Sequence, residues 1–318
     1  MKSAKTVFRV IVPVVLSATV CGALFFNFAS EGWLSDLLRR LSVMPLRLVA
    51  AAFAFMAANI LVAAWRYQVV MRDLVVSGRA VRFSTIVALN WFSLFVSYIL
   101  PLPFLADATR AGYLRGVLRL PARTAVESVV FDRVAALVGL VIFGLAGLPI
   151  QAQYGVSAAS LRLQGAIWGA ALAMGLTLAL VYRNPGKAPR ALRALVDSLQ
   201  SFGRLYATPG RFLLQLAISA AYVASFAGTV LAVGHGIGAS LDLPIVLACT
   251  AVIFLAQNIP IFWGGWGGRE AAVIATLGSI KGIGIERGLA ISILVGTISM
   301  LVSLPGGILL LIHRPGSS

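Results

Sequence analysis

The sequence predicts an all-α polytopic membrane protein, a single transmembrane domain over residues 1–318. It is expected to hold about six full transmembrane helices and two re-entrant helical hairpins arranged as an inverted repeat. Three observations carry this reading. Hydrophobic residues make up 60% of the chain and charged residues 11%, with a mean hydropathy of +0.95, whereas soluble domains carry about 25% charged residues. Several apolar stretches approach or exceed the roughly 18 to 20 residues that a crossing helix needs. The alternating segments of about ten residues that build outer-membrane barrels are absent.

The first element is an apolar run to about Phe28 behind Lys2, Lys5 and Arg9. It exceeds the roughly 7 to 15 residues of a signal-peptide core and has no small-x-small cleavage site, so a retained helix is expected. Trp33, Leu34, Leu37, Leu38 and Leu41 then recur at helical spacing against Asp36, Arg39 and Arg40, the pattern of a short helix lying in the interface. A span follows from about Leu46 to Trp65, and then a basic connection with Arg66, Arg72, Arg79 and Arg82, expected to be cytoplasmic.

The stretch from Ser84 to Leu100 is apolar but only about 17 residues long, and it runs into Pro101-Leu102-Pro103. A full crossing here would place Arg110, Arg115, Arg119 and Arg123 outside, together with the later basic loop from Arg183 to Arg211, against the positive-inside rule. A hairpin over about 84–122 that enters, turns at the prolines and returns keeps both basic regions inside. Spans are then expected from about Ala125 to Pro149 and, after a loop with Arg162, to about Tyr182. Between Arg183 and Arg211 an apolar stripe from Leu192 to Tyr206 opposes basic residues, as in a helix on the cytoplasmic leaflet. Phe212 to about Gly234 crosses, a second hairpin occupies about 243–280, and Gly288 to Ile312 returns to a short tail. Both termini fall inside a cytoplasmic membrane.

The pattern repeats. Shifting by half the chain places Pro101 on Pro260, Arg110 on Arg269 and Glu127 on Glu286, and gives halves of about 1–155 and 156–318 with the same order of elements. Each half has an odd number of full crossings, so the second sits upside down, the plan of many transporters.

The most unusual stretch is Gln257 to Glu270, which breaks at Pro260, loosens through Gly264, Gly265, Gly267 and Gly268, and ends on Arg269 and Glu270. A broken helix in a bilayer must be covered by protein or face a wet cavity, and ionisable residues there are functional by default. Asp107 and Arg110 are three apart and can pair on one helix face. The two half-helices start just after the hairpin tips, so their amides and positive ends point inward, and with Arg110 and Arg269 they suit an anion such as a phosphate. The opposing reading is that Asp107–Arg110 and Arg269–Glu270 only neutralise one another. Asp132 and Arg133 face the bundle as a clamp or as part of the site. Arg115 continues the basic stripe, Asn258 and Trp266 flank the second break, and Asn90, Gln257 and Asn258 suit the capping of freed backbone groups. Pro101, Pro103, Pro260 and the glycines are the structural turns.

The +16 net charge is explained by basic residues between apolar spans, so no nucleic-acid partner is expected. Cys21 and Cys249 lie in apolar spans with no metal or disulfide spacing. With two histidines, two cysteines and ten carboxylates, no catalytic triad, metal cluster or nucleotide loop is readable, so neither an enzyme nor a cofactor is expected.

Three blocks carry a family resemblance: Leu100-Pro101 through Asp107-Ala108-Thr109-Arg110, Ala125-Val126-Glu127-Ser128-Val129-Val130-Phe131-Asp132-Arg133, and Ile259-Pro260 through Gly264-Gly265-Trp266-Gly267-Gly268-Arg269-Glu270, followed by Leu304-Pro305-Gly306-Gly307. They resemble the lysylphosphatidylglycerol synthase transmembrane-region family of flippase-like membrane proteins. Ala106 stands where such proteins have glycine, and Gly268 where they have a valine-like residue. The synthases append a soluble aminoacyl-transfer domain for which this chain has no room, so the resemblance implies the lipid-translocating part alone. It implies a transporter of an anionic lipid or lipid-linked headgroup, with membrane lipids as partners. The substrate-binding residues expected are Asp107, Arg110, Arg115, Asp132, Arg133, Asn258, Trp266, Arg269 and Glu270. Competing readings are an accessory subunit for a separate lipid-modifying enzyme and an intramembrane lipid-phosphate transferase; a homo-oligomer is compatible with any of them.

Overall fold

A computed structural model describes residues 15, 17–24, 26, 32–74, 81–100, 103–183, 202–203, 208–259 and 262–312. Among these residues there is no strand, and the chain is an all-α polytopic membrane protein. The helices are α1 (Trp33–Ser42), α2 (Leu46–Leu74), α3 (Phe83–Ile99), α4 (Pro103–Gly116), α5 (Ala122–Gln153), α6 (Ala158–Arg183), α7 (Pro209–Gly236), α8 (Leu243–Gln257), α9 (Gly268–Ala275) and α10 (Ile285–Ile312). Four of them, α2, α5, α7 and α10, are long and apolar enough to cross a membrane. The expected first span lies largely outside the described residues, although 17–24 are helical. The expected helix from Leu192 to Tyr206 lies outside them except for 202–203.

Two boundaries differ from the sequence reading. The basic connection does not begin at Arg66, because α2 continues to Leu74 and buries Arg66 in the bundle. No proline or glycine interrupts Trp65 to Leu74, so nothing in the backbone ends the helix there. Likewise α6 starts at Ala158, which puts Arg162 on the helix, where its Nε donates to the Ala158 carbonyl, rather than in a loop.

The amphipathic segment expected at the interface forms α1. Trp33 and Leu37 pack into the main core while Leu34 and Leu38 stay exposed. Two polar contacts pin it: Trp33 Nε1 donates to Glu286 O, and Arg40 Nη1 to Ile237 O. It therefore sits against the ends of α7 and α10.

The short helices form two pairs, α3 with α4 and α8 with α9, and α3 and α8, at 17 and 15 residues, fall short of the roughly 20 that a crossing helix needs. A shift by half the chain carries α2, α3, α4 and α5 onto α7, α8, α9 and α10 nearly boundary for boundary. The packing follows the same shift. α2 contacts its counterpart α7 most extensively, and α5 packs on α8 as α10 packs on α3. Both cross-half contacts rest on a glycine where the other helix's backbone comes close. A Cβ at Gly147 would lie 2.7 Å from Ala248 O, and one at Gly306 would meet Trp91 O. The Leu304-Pro305-Gly306-Gly307 motif thus lets α10 seat against α3, since small residues permit backbones to approach in membranes.

Candidate functional site

Between the α3–α4 pair and the end of α8 with the glycine-rich loop after it lies a cavity of about 430 Å³. Helix α3 lines it with Asn90, Ser93, Ser97 and Tyr98, α4 with Asp107 and Arg110, and α5 with Arg133. Asn59 comes from α2, Tyr222 and Phe226 from α7, Gln257 and Asn258 from the end of α8, and Ser299 from α10. Polar residues at this density inside an apolar bundle mark a site, since membrane interiors tolerate them only where they pair or meet a cavity.

The charges form a triad and a pair. Asp132, 3% exposed, accepts from Arg66 Nε at 2.9 Å and from Arg110 Nη1 at 3.3 Å. Arg133 grips Asp107 with two hydrogen bonds, Nη2 to Oδ1 at 2.8 Å and Nε to Oδ2 at 3.1 Å, and its Nη1 reaches Asn258 Oδ1 at 3.5 Å. The pairing of Asp107 with Arg110 on one helix is therefore replaced. Helix α5 lies across α4 and supplies each of them with a partner, that of Asp107 being bidentate. Arg133 remains 47% accessible at its side chain because it faces the cavity.

Three arginines meet two aspartates here, an excess of one positive charge among these five residues. Aromatic faces support two of the guanidiniums: Arg66 lies 5.1 Å from the Tyr222 ring and Arg110 5.2 Å from the Tyr67 ring. Among the described residues Arg110 Nε is buried and finds no hydrogen-bond acceptor. A buried donor left unpaired is costly, and other atoms of the Arg110 side chain border the cavity.

The second charged pair lies apart from the cavity lining. Arg269 and Glu270 are 1% and 2% exposed. Glu270 Oε1 accepts from Arg269 Nη2 at 2.7 Å and from Ser292 Oγ at 2.9 Å, and its Oε2 accepts from Gly267 N at 2.6 Å. The N-terminus of α9 is thus capped by the chain's own carboxylate, which occupies the amide end that the sequence reading offered to an external anion. Arg269 lies 4.6 Å from the Trp266 ring and fills the space where Gly296 has no side chain. Tyr98 lines the cavity, and its carbonyl accepts from Trp263 Nε1 at 3.1 Å.

Of the residues expected from sequence, Asp107, Arg110, Arg133 and Asn258 line the cavity and Asp132 stands just behind. Arg269 and Glu270 form the separate buried pair with the half-buried Trp266 against it, and Arg115 is exposed on α4. Gly264, Gly265 and Gly267 all have positive φ, and a Cβ on Gly268 would lie 2.5 Å from Ala256 O. Pro103 opens α4, while Pro101 and Pro260 lie outside the described residues. Asn90 and Asn258 each donate to the carbonyl four residues back on their own helix rather than to a backbone group freed by a break. The residues that sequence reading passed over are Arg66, Asn59, Tyr98, Tyr222 and Ser299. For Arg66 a signal existed in the unbroken helical stretch beyond Trp65; for the others nothing distinguishes them from ordinary span residues.

No curated protein matches the chain. The family model for the lysylphosphatidylglycerol synthase TM region matches residues 10–307, nearly the whole length. The chain belongs to that lysylphosphatidylglycerol synthase transmembrane-region family.

Proposed function

We propose that this protein is a lipid transporter of the flippase type, working without a cofactor and without chemical change to the lipid, in a cytoplasmic membrane with both termini inside. The cavity between the α3–α4 pair and the end of α8 takes the anionic headgroup while the hydrocarbon chains stay in the apolar phase. The observation that carries this reading is the one-charge excess of arginine at the cavity. An incoming phosphodiester would balance the charge, and planar guanidinium suits phosphate. The cavity volume falls within the roughly 300 to 1,000 Å³ of small-molecule sites, large enough for more than a bare phosphate.

The short-helix pairs act as re-entrant hairpins, and the two halves as an inverted repeat. Support comes from the matching helix boundaries and from the exchanged α5–α8 and α10–α3 contacts. In such folds one half rocks against the other around a fixed site. Arg133, which ties α5 to Asp107 on α4 and to Asn258 at the tip of α8, sits where that movement would be felt.

The test is headgroup translocation of fluorescent phosphatidylglycerol in liposomes with purified protein, comparing wild type with Arg110→Gln and Arg133→Gln. Wild type should translocate and both variants should lose at least tenfold in rate while keeping their melting temperatures within a few degrees. Wild-type activity that persists in both folded variants would remove these arginines from the transport path.

A further inference from the structure

The cavity holds a set of neutral oxygens that its charged groups do not use. Asn59 on α2 gives its Nδ2 to Tyr222 O at 2.7 Å and to Ser225 Oγ at 3.0 Å, and Asn90 on α3 gives its Nδ2 to Ile86 O at 3.2 Å. Among the described residues neither Oδ1 receives a hydrogen bond, and both are left open to the cavity that the two residues line. Ser93 and Ser97, also in the lining, commit their hydroxyl hydrogens to Ala106 O at 3.1 Å and to Leu94 O at 2.7 Å. Their oxygens keep lone pairs and have no hydrogen left to donate. Asn90, Ser93 and Ser97 stand at i, i+3 and i+7 on one face of α3 and cover about 10 Å along it. Ser93 bonds the carbonyl next to Asp107, so this row of acceptors passes beside the charged groups of α4.

We infer that the cavity selects lipids whose phosphate carries a hydroxyl-bearing group, a glycerol or a sugar, and that Asn59, Asn90, Ser93 and Ser97 read those hydroxyls. This rests on the headgroup reading above. Arg110 and Arg133 offer only donors, which suit phosphate oxygens, whereas the four neutral residues offer acceptors, which suit O–H or N–H groups. Charge decides between these two. The charged residues in the described lining are Asp107, Arg110 and Arg133, and Arg133 already holds Asp107 with two hydrogen bonds. An ammonium group would add to the arginine excess with no carboxylate of that lining free to meet it, and an unpaired charge is far costlier to bury than a hydroxyl. A hydroxyl brings the donor without the charge. A headgroup with no donor fits worse, because it displaces water from these oxygens without replacing the water's hydrogen bonds.

The experiment measures translocation by the full chain in liposomes, with the same fluorophore on an acyl chain of phosphatidylglycerol, phosphatidylmethanol or phosphatidylethanolamine, so that each headgroup is unmodified. The first two carry the same charge and differ in their hydroxyls; the third brings N–H donors on an ammonium. A neutral hydrogen bond is worth about two- to tenfold, so wild type should move phosphatidylglycerol at least about fivefold faster than phosphatidylmethanol, and faster than phosphatidylethanolamine. Asn90→Leu should bring the ratio of phosphatidylglycerol to phosphatidylmethanol rates below about two. Ser97→Ala, which removes one oxygen from a half-buried position, should lower that ratio about twofold and serves if Asn90→Leu does not fold. Equal rates for the two lipids in wild type, or a ratio that the folded variants leave unchanged, overturns hydroxyl selection and leaves the anionic-headgroup reading standing. Phosphatidylethanolamine moving fastest also overturns it, since the acceptors would then serve an ammonium. No movement of any of the three lipids overturns both readings.

Discussion

Arg110 and Asp132 meet at 3.3 Å across the contact between α4 and α5, and the same aspartate holds Arg66 from α2 at 2.9 Å. One carboxylate, 3% exposed, thereby balances two guanidiniums from two different helices. Asp132→Asn would leave both cations short of a counter-charge in a low-dielectric interior. Removing one partner of a buried pair costs about 3–5 kcal/mol. The variant should unfold at markedly lower denaturant in reversible detergent-unfolding assays, and Arg66→Met added to it should recover part of the loss. Equal stability of wild type and Asp132→Asn would mean that the pairs contribute nothing to holding α2, α4 and α5 together.

A second prediction concerns the two cross-half contacts. Gly147 and Gly306 occupy corresponding positions of the two halves, and each meets the backbone of a short helix from the opposite half. Alanine at either position must push that backbone away, and overpacking of this kind costs about 1–3 kcal/mol. The two single variants should lose similar stability, measured by the same unfolding assay. A large loss at one and none at the other would show that the halves are not packed equivalently.

The third prediction follows from the cluster around Arg269. Its guanidinium stands 2.8 Å or less from where a Cβ on Gly296 would sit, so Gly296→Ala must displace a buried charge from Glu270 and Ser292. The loss of stability should exceed that of Gly147→Ala, because both an ion pair and a helix cap depend on Glu270 staying in place. Since Arg269 does not line the cavity, the folded fraction of Gly296→Ala should bind phosphatidylglycerol headgroup with an affinity within about twofold of wild type. A loss of binding without loss of stability would instead bring Arg269 into the headgroup site.

Much of this fold is legible in the sequence because membrane insertion restricts the choices. Apolar length sets each helix, and the prolines and glycines between Leu100 and Pro103 and between Asn258 and Gly268 mark the breaks. The chemistry of the site is legible only in part. Asp107, Arg110, Asp132 and Arg133 stand out as charges in apolar surroundings, but their partners depend on how α5 crosses α4, which local spacing does not encode. Spacing alone pairs Asp107 with Arg110, whereas packing gives Asp107 to Arg133 and Arg110 to Asp132. Arg66 escaped because a basic residue directly after an apolar run resembles the start of a loop. Asn59, Tyr98 and Ser299 carry no signal in a single sequence, since small polar and aromatic residues occur throughout such helices.

The last prediction separates an anion site from a structural knot of charges. Asp107 is 27% accessible at its side chain and Arg133 47%, so their bond contributes no more than about 1 kcal/mol to stability. Asp107→Asn should therefore fold normally, while the arginine excess at the cavity rises by one charge and Arg133 loses its carboxylate partner. If the cavity receives an anionic headgroup, affinity for glycerophosphoglycerol should rise by about three- to tenfold, which is roughly 0.7–1.4 kcal/mol, and should fall more steeply with salt than in wild type. Arg133→Gln should move affinity the other way by a comparable factor. Isothermal titration on the detergent-solubilised chain at two ionic strengths reads both effects. A structural knot predicts no such opposition, because breaking the pair from either side would then perturb the same fold; parallel losses in the two variants would sink the anion-site reading, and opposite shifts would sustain it.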